Sequence, residues 1–236
     1  MSNSRIIVPL DFSDPRLALD LVEKLQPDLC RLKVGKELFT KAGPVFVEKL
    51  ISKDFDVFLD LKYHDIPTTV AKACAVAADL GVWMVNMHAS GGTQMMSLAR
   101  EELEKKSYHP LLIGVTILTS MNEKVLKELG LQCSVEEQVM RLAQLTYDAG
   151  LDGVVCSAQE VKMLRNNLSK EFKLVTPGIR PGGSDNNDQK RVMTPGQAIN
   201  AGSDYLVIGR PITQAEDAIQ VLKNIEEEIC AASMAV

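Results

Sequence analysis

The amino-acid sequence predicts an α/β fold, a single (β/α)8 TIM barrel. Short apolar runs alternate with helical patterns along all 236 residues, which is the order expected of parallel strands with covering helices. Three predicted helices each end at a glycine, Gly81, Gly150 or Gly202, and a predicted strand follows each of them within a few residues. No linker or low-complexity segment divides the chain, so one domain is expected over residues 1–236.

Strands are predicted where branched and aromatic apolar residues form short runs between turn-forming residues. In chain order, the predicted strands are residues 6–12, 29–35, 56–62, 82–88, 111–118, 153–157, 173–177 and 204–209. Their number matches the eight strands that close a barrel of this class.

Helices are predicted from the spacing of apolar residues, from capping residues and from early prolines such as Pro15. The predicted helices are residues 14–25, 44–52, 67–80, 122–129, 135–149, 159–168, 195–201 and 214–232, with one more between Thr93 and about residue 106. Residues 180–193 have no periodicity and many Gly, Asn, Asp and Pro residues, so a long loop is expected there.

The rival architecture is an open, doubly wound sheet. Such sheets bind dinucleotides through a glycine-rich turn, G-x-G-x-x-G, after the first strand. Here Asp11-Phe12-Ser13 stands at that place. The barrel is therefore favoured.

Composition and charge exclude several classes of function. The net charge is −5 and no basic run occurs, which argues against nucleic acid as a partner. We expect no membrane span, since no apolar stretch is long enough, and no signal segment. The five cysteines are scattered without a C-x-x-C, as expected for reduced thiols in a cytoplasmic protein. The three histidines lack metal-ligand spacing, so no zinc site is predicted.

The third predicted strand ends in an unusual density of charge. Asp60, Lys62, His64 and Asp65 crowd into six positions. Alternation along a strand places Asp60 and Lys62 on the same face, where opposite charges are costly to bury unless they are paired. One interpretation is a structural ion pair, with Asp65 capping the next helix. The other is an acid and an amine that tune each other's protonation and present a positioned proton donor.

Polar residues recur at the ends of the other predicted strands. In a barrel these ends form the active-site face. The residues found there are Asp11, Lys33, Asp60, Lys62, His88, Thr119, Ser120, Pro177, Arg180, Gly209 and Arg210. Lys33, Asp60 and Lys62 would lie on adjacent strands, and their charges together with Asp65 sum to zero, which makes burial of the group tolerable.

The last two strand ends predict an anion site. The loop after strand seven contains Arg180, Gly182-Gly183 and Gln189, and strand eight leads into Gly209-Arg210. Glycine lets backbone N–H groups approach an anion, and arginine adds a bidentate partner. Barrel enzymes often hold a phosphate with these two loops, and the longer loop can close over a ligand. The alternative for Gly209-Arg210 is a strand-end turn with an exposed arginine.

The segment Asp60-Leu61-Lys62-Tyr63-His64-Asp65-Ile66-Pro67-Thr68-Thr69 closely resembles the signature of the orotidine 5′-monophosphate decarboxylase family. Further resemblances run along the whole chain. They are Val8-Pro9-Leu10-Asp11, Lys33-Val34-Gly35, Val85-Asn86-Met87-His88-Ala89, Leu118-Thr119-Ser120-Met121, Thr176-Pro177-Gly178-Ile179-Arg180 and Ile208-Gly209-Arg210-Pro211-Ile212. One departure is Thr68, where the family commonly has Asn; the adjacent Thr69 is the position credited with ligand contact.

The resemblance implies decarboxylation of orotidine 5′-monophosphate to uridine 5′-monophosphate, the last step of de novo pyrimidine nucleotide synthesis. It also implies a homodimer with shared active sites and no metal or organic cofactor.

The resemblance further implies a role for each matching residue. Lys62 would protonate C6, Asp60 would lie against the substrate carboxylate, and Lys33 and Asp11 would serve the ribose and the charge network. Asp65 and Thr69 would reach the site of the other subunit, and either Thr119 or Ser120 would contact the pyrimidine. The remaining substrate-binding residues, most of them at the phosphate, are Pro177, Arg180, Gln189, Gly209 and Arg210.

Two other functions compete with this interpretation. A Mg²⁺-dependent sugar-phosphate lyase or decarboxylase of the same barrel superfamily shares an Asp-x-Lys-x-x-Asp pattern. Lys33 argues against it, because a cation stands where such a metal site needs an acid. A non-catalytic nucleotide-binding barrel would bind uridine phosphates without turnover.

Overall fold

The computed structural model describes residues 3–182 and 193–233. Eight parallel strands pair in sequence order and close into a barrel, which confirms the predicted fold class. The strands are β1 Ile6–Pro9, β2 Arg31–Gly35, β3 Val57–Tyr63, β4 Met84–His88, β5 Leu111–Val115, β6 Gly153–Val155, β7 Lys173–Pro177 and β8 Tyr205–Val207.

Helices alternate with the strands and cover the outside of the barrel. They are α1 Pro15–Val22, α2 Lys36–Ile51, α3 Pro67–Asp79, α4 Thr93–Glu104, α5 Glu123–Glu128, α6 Val135–Asp148, α7 Val161–Asn167, α8 Pro195–Ala201, α9 Arg210–Thr213 and α10 Ala218–Ser233. Within the described residues, no helix is both long enough and apolar enough to cross a membrane.

The largest boundary error concerns α2. The predicted start at residue 44 is wrong, because the helix begins at Lys36 and breaks at Gly43, where φ is 68°. A proline at the start of a helical turn is favourable, so Pro44 predicts the start of a helix. It is instead the start of the second half of α2, after the break at Gly43. The predicted last helix is also wrong at its start. The four-residue α9 comes first, and it is too short to show a helical period.

Two apolar layers result from the alternation of side chains along the strands. One layer packs between strands and helices and includes Ile6, Val8 and Leu59. The other fills the barrel interior with Ile7, Phe58, Trp83, Met84, Ile113 and Val175. Trp83 is therefore a packing residue, and the Arg31 guanidinium lies 4.3 Å from its ring centroid. Phe58 and Val175 also form part of the floor of the pocket described below.

Candidate active site

A cavity of about 450 Å³ opens where the strands end, a size that suits a small-molecule ligand. Its floor is apolar, with Val115, Val155 and Val207 beside the residues that fill the barrel. Ten of the sequence-predicted site residues line it. They are Asp11, Lys33, Asp60, Lys62, Thr119, Ser120, Pro177, Arg180, Gly209 and Arg210.

Four of these residues form a chain of alternating charge across the ends of the first three strands. Lys33 Nζ lies 3.2 Å from a carboxylate oxygen of Asp11 and 3.2 Å from Asp60 Oδ2. Lys62 Nζ lies 2.5 Å from Asp60 Oδ1. The side chains of Lys33 and Asp60 are each only 10% exposed, whereas Asp11 is 68% exposed. Each buried charge therefore has an opposite partner, which offsets much of the cost of desolvation.

The net effect of these neighbours is to keep Asp60 ionised. Burial alone would raise the pKa of Asp60, but the charges of Lys33 and Lys62 and hydrogen bonds from Lys62 and Asn86 outweigh burial, so its pKa is lowered. A negative charge is thus present beside the Lys62 ammonium before any ligand binds.

Asn86 is a residue of this site that sequence reasoning left unassigned. It is fully buried on β4, and its amide nitrogen donates to Asp60 Oδ1 at 2.7 Å. The available signal was an asparagine within an otherwise apolar buried strand, since buried polar groups need partners. Sequence alone did not say which partner, because the partner lies on another strand.

A pair of histidines borders the charge chain. The rings of His64 and His88 lie 5.6 Å apart between centroids. Burial lowers the pKa of His88, and the nearby charges of His64, Lys36 and Lys62 lower it further. Over residues 3–182 and 193–233, no cluster of three or more His, Cys, Asp or Glu side chains is arranged to hold a metal ion.

Two arginines and a tight turn line the cavity where β7 and β8 end. Arg180 is buried, and its backbone N–H donates to the carbonyl of Met193, so the two sides of the loop after β7 meet there. Gly209 is the N-cap of α9, and a Cβ at this position would lie 3.2 Å from Pro9 Cγ. Because the turn packs so closely, glycine suits it and Arg210 follows directly at the cavity wall.

The family model described as orotidine 5′-phosphate decarboxylase / HUMPS matches residues 4–225. The chain belongs to this family.

Relatives in the family match nearly the full chain. The orotidine 5′-phosphate decarboxylases of Psychromonas ingrahamii and Aliivibrio fischeri are 60% and 61% identical over 226 residues, which is 95% of this chain and 97% of each relative. The solved structure of orotidine 5′-phosphate decarboxylase from Lactobacillus acidophilus is 38% identical, with a TM-score of 0.86 over 95% of this chain and 98% of that chain. An uncharacterized conserved protein from Geobacillus kaustophilus is 36% identical, with a TM-score of 0.83 over 95% and 99%.

Two residues predicted from the family resemblance do not line the cavity. Asp65 and Thr69 are exposed and are absent from its lining within the described chain. Asp65 accepts a hydrogen bond from the backbone N–H of the next residue, Ile66, at 2.6 Å. The N-cap of α3 is Ile66, without a side-chain capping hydrogen bond, so the interpretation of Asp65 as a helix cap is wrong. Gln189 lies outside the described residues, as does most of the loop predicted over 180–193.

Proposed function

We propose that this protein converts orotidine 5′-monophosphate to uridine 5′-monophosphate and CO2 by direct decarboxylation, with Lys62 protonating C6. The observation that supports this most is the Lys33–Asp60–Lys62 charge chain, in which Asp60 holds the Lys62 ammonium at the mouth of the barrel. Full-length relatives named for this activity support the same reaction.

The chemistry needs a cation that is already in place. Loss of CO2 leaves negative charge at C6, and a preorganised ammonium stabilises that charge without reorganisation of solvent. Lys62 would then give its proton to C6, while Lys33 keeps Asp60 paired. The ionised Asp60 would lie against the departing carboxylate and raise the energy of the bound substrate.

The remaining lining residues would bind the rest of the nucleotide. Asp11 and Lys33 would contact the ribose, since they lie together at the end of the charge chain. Thr119 and Ser120 both line the cavity, so either hydroxyl could accept or donate to the pyrimidine.

The phosphate would lie between Arg180 and Arg210, beside Gly209 and Pro177. Gln189 would join them from the closing loop. Because the phosphate is remote from C6, the free energy of its binding can drive closure and so assist the chemical step.

Arg210→Ala is expected to weaken ligands that carry a phosphate far more than the phosphate-free nucleoside. An arginine–phosphate contact is charge-assisted, and its loss costs about 2–3 kcal/mol, roughly 30- to 150-fold in affinity. The measurement is a titration of uridine 5′-monophosphate and uridine against both proteins. Arg141→Ala, on α6 and away from the cavity, is the control and should change neither affinity. Equal losses for nucleotide and nucleoside would remove Arg210 from the phosphate site.

The proposed enzyme is a cytoplasmic homodimer with shared sites. Asp65 and Thr69 are exposed and do not line their own cavity, and Ile66 and Val76 leave 65% and 59% of their surfaces exposed at the start of α3 and along it. A second copy of the chain covering this face would bury that apolar surface and bring Asp65 and Thr69 to its site.

All five cysteines are free thiols, which supports a reducing compartment.

The experiment that tests the reaction is an absorbance assay of orotidine 5′-monophosphate with protein treated with EDTA. Turnover is expected, and EDTA should not reduce it, since Lys62 rather than a metal ion would supply the cation. Activity lost with EDTA and restored by Mg²⁺ would favour the sugar-phosphate lyase alternative. Binding of uridine 5′-monophosphate without any turnover of the substrate would favour the non-catalytic barrel.

A further inference from the structure

The backbone of Lys62 departs from regular strand geometry. Its φ is 52°, in the left-handed region that long L side chains seldom adopt. The pairing of β3 with β4 shifts at the same place, from Leu59 opposite Val85 to Tyr63 opposite Met87. Four residue steps on β3 thus face two on β4, so β3 contains an irregularity opposite Asn86. The side-chain direction of Lys62 therefore depends on what holds this irregular segment.

Asn86 forms hydrogen bonds with both Lys62 and Asp60. Its Oδ1 accepts the backbone N–H of Lys62 at 2.8 Å, and its Nδ2 donates to Asp60 Oδ1 at 2.7 Å. A carboxylate can only accept and a backbone N–H can only donate, so these partners fix the orientation of the amide. The same Asp60 oxygen accepts Lys62 Nζ. One planar group on β4 thus links the main chain of Lys62 to the acid that holds its ammonium.

We propose that Asn86 is a positioning residue for decarboxylation, which holds the irregular backbone at Lys62 and the Asp60 carboxylate so that the ammonium is aimed before substrate binds. The inference rests on the proposed function. Asn86 is fully buried and does not line the cavity, so it acts through these two residues. Loss of the amide frees the Lys62 backbone and removes one donor from Asp60, while the surfaces that bind base, ribose and phosphate stay in place.

Two variants separate the two contacts. Asn86→Ala removes both of them, and kcat should fall about 100-fold with little change in KM, because a misplacement of about 1 Å has this effect on reaction rate. Asn86→Asp keeps an acceptor for the Lys62 N–H but sets a second carboxyl against Asp60. The two acids then share a proton, so activity should be lost at higher pH than in the wild type as pH falls.

The charged surroundings of Asp60 make this shift measurable. Lys33 faces it from β2 and Lys62 from β3, Asp11 lies beyond Lys33, and His88 interacts with it from the end of β4. None of these groups changes in the variants. The acid limb is the part of the pH–activity profile in which activity falls with falling pH. A shift of this limb in Asn86→Asp can therefore be attributed to the new carboxyl, and a purely structural role for Asn86 would leave the limb unmoved.

Thr176→Val is the matched control. Thr176 is also fully buried on a barrel strand, and its hydroxyl bonds to Ser203 outside the cavity. This variant should lose stability without losing kcat per folded molecule. The proposal is overturned if Asn86→Ala keeps kcat within about threefold of the wild type, if the control loses as much, or if the acid limb of Asn86→Asp is unshifted.

A titration of the Asp60 carboxyl by NMR in the ligand-free protein tests Asn86 apart from turnover. Its pKa should rise in Asn86→Ala, because a hydrogen bond to the charged form is lost, and an unchanged pKa would overturn the proposal. If the wild-type protein fails to decarboxylate the substrate, the proposed function is wrong. The titration would still report the hydrogen bond between Asn86 and Asp60. If the wild type is active and the titration is unchanged, only the inference about Asn86 fails.

Discussion

Lys62→Ala is expected to abolish measurable turnover while the barrel stays folded. The variant lacks both the cation that stabilises charge at C6 and the proton that C6 receives, and these two effects together should lower kcat by more than about 10⁴-fold. Asp60 keeps Lys33 at 3.2 Å and Asn86 at 2.7 Å, so its charge remains paired and the fold is retained. The measurement is kcat for orotidine 5′-monophosphate beside circular dichroism and the midpoint of thermal unfolding.

Two controls make the result for Lys62 specific. Lys53→Ala removes a half-buried lysine paired with Glu23, outside the residues that line the cavity, and should leave kcat unchanged. Lys62→Arg keeps a positive charge but not the compact ammonium, so it should remain strongly impaired. A near-normal kcat in Lys62→Ala would remove this residue from the mechanism.

The second large effect concerns the proposed sharing of active sites between two subunits. Lys62→Ala and Asp65→Asn subunits are each expected to be almost inactive, yet their mixture should recover activity after subunit exchange. In a hybrid dimer one site carries both changes and the other carries none. Random exchange makes half of the dimers hybrids, so recovery should approach about a quarter of wild-type activity. The measurement is kcat per site after exchange, with the hybrid fraction counted by native mass spectrometry.

The matched control mixes Lys62→Ala with Lys33→Ala. Both residues belong to one chain's cavity and are linked there through Asp60, so every site in that hybrid carries one change and no recovery is expected. Absence of recovery in the Lys62/Asp65 mixture, with hybrids present, would contradict the shared site. Equal recovery in both mixtures would instead indicate contamination or reversion.

Sequence patterns predicted most of the fold, because the ends of helices and strands depend on residues that are close together in the chain. Glycine caps at Gly81, Gly150 and Gly202 end helices at the expected places, and β7 and α8 match their predicted bounds. The early turns of α2 and the short α9 were missed. Pro44 dominated the helix-start signal, and four residues cannot show a helical period.

Two of the three repeated helix ends, at Gly150 and Gly202, also share a tertiary contact. Arg100 on α4 donates to the carbonyl of Gly150, and Arg165 on α7 donates to that of Gly202. The aspartate two residues after each of these glycines accepts a hydrogen bond from the same arginine. It also accepts one from a backbone N–H near the start of a neighbouring strand, at Leu112 and Leu174. The repeat was visible in the sequence, but its arginine partners were not, since they lie about 40 to 50 residues earlier in the chain.

Sequence by itself determined the order of strands and helices, the barrel class and the identity of the charged residues at the strand ends, because each depends on composition and spacing over a few residues. It also predicted that Asp60 and Lys62 share a site, although from a regular alternation that β3 does not keep. Only the tertiary structure decided the left-handed backbone of Lys62 and the bonds from Asn86 that hold it. The physical reason is that the register between two strands results from packing of the whole barrel, and no local pattern encodes which buried amide will stand opposite an irregular strand.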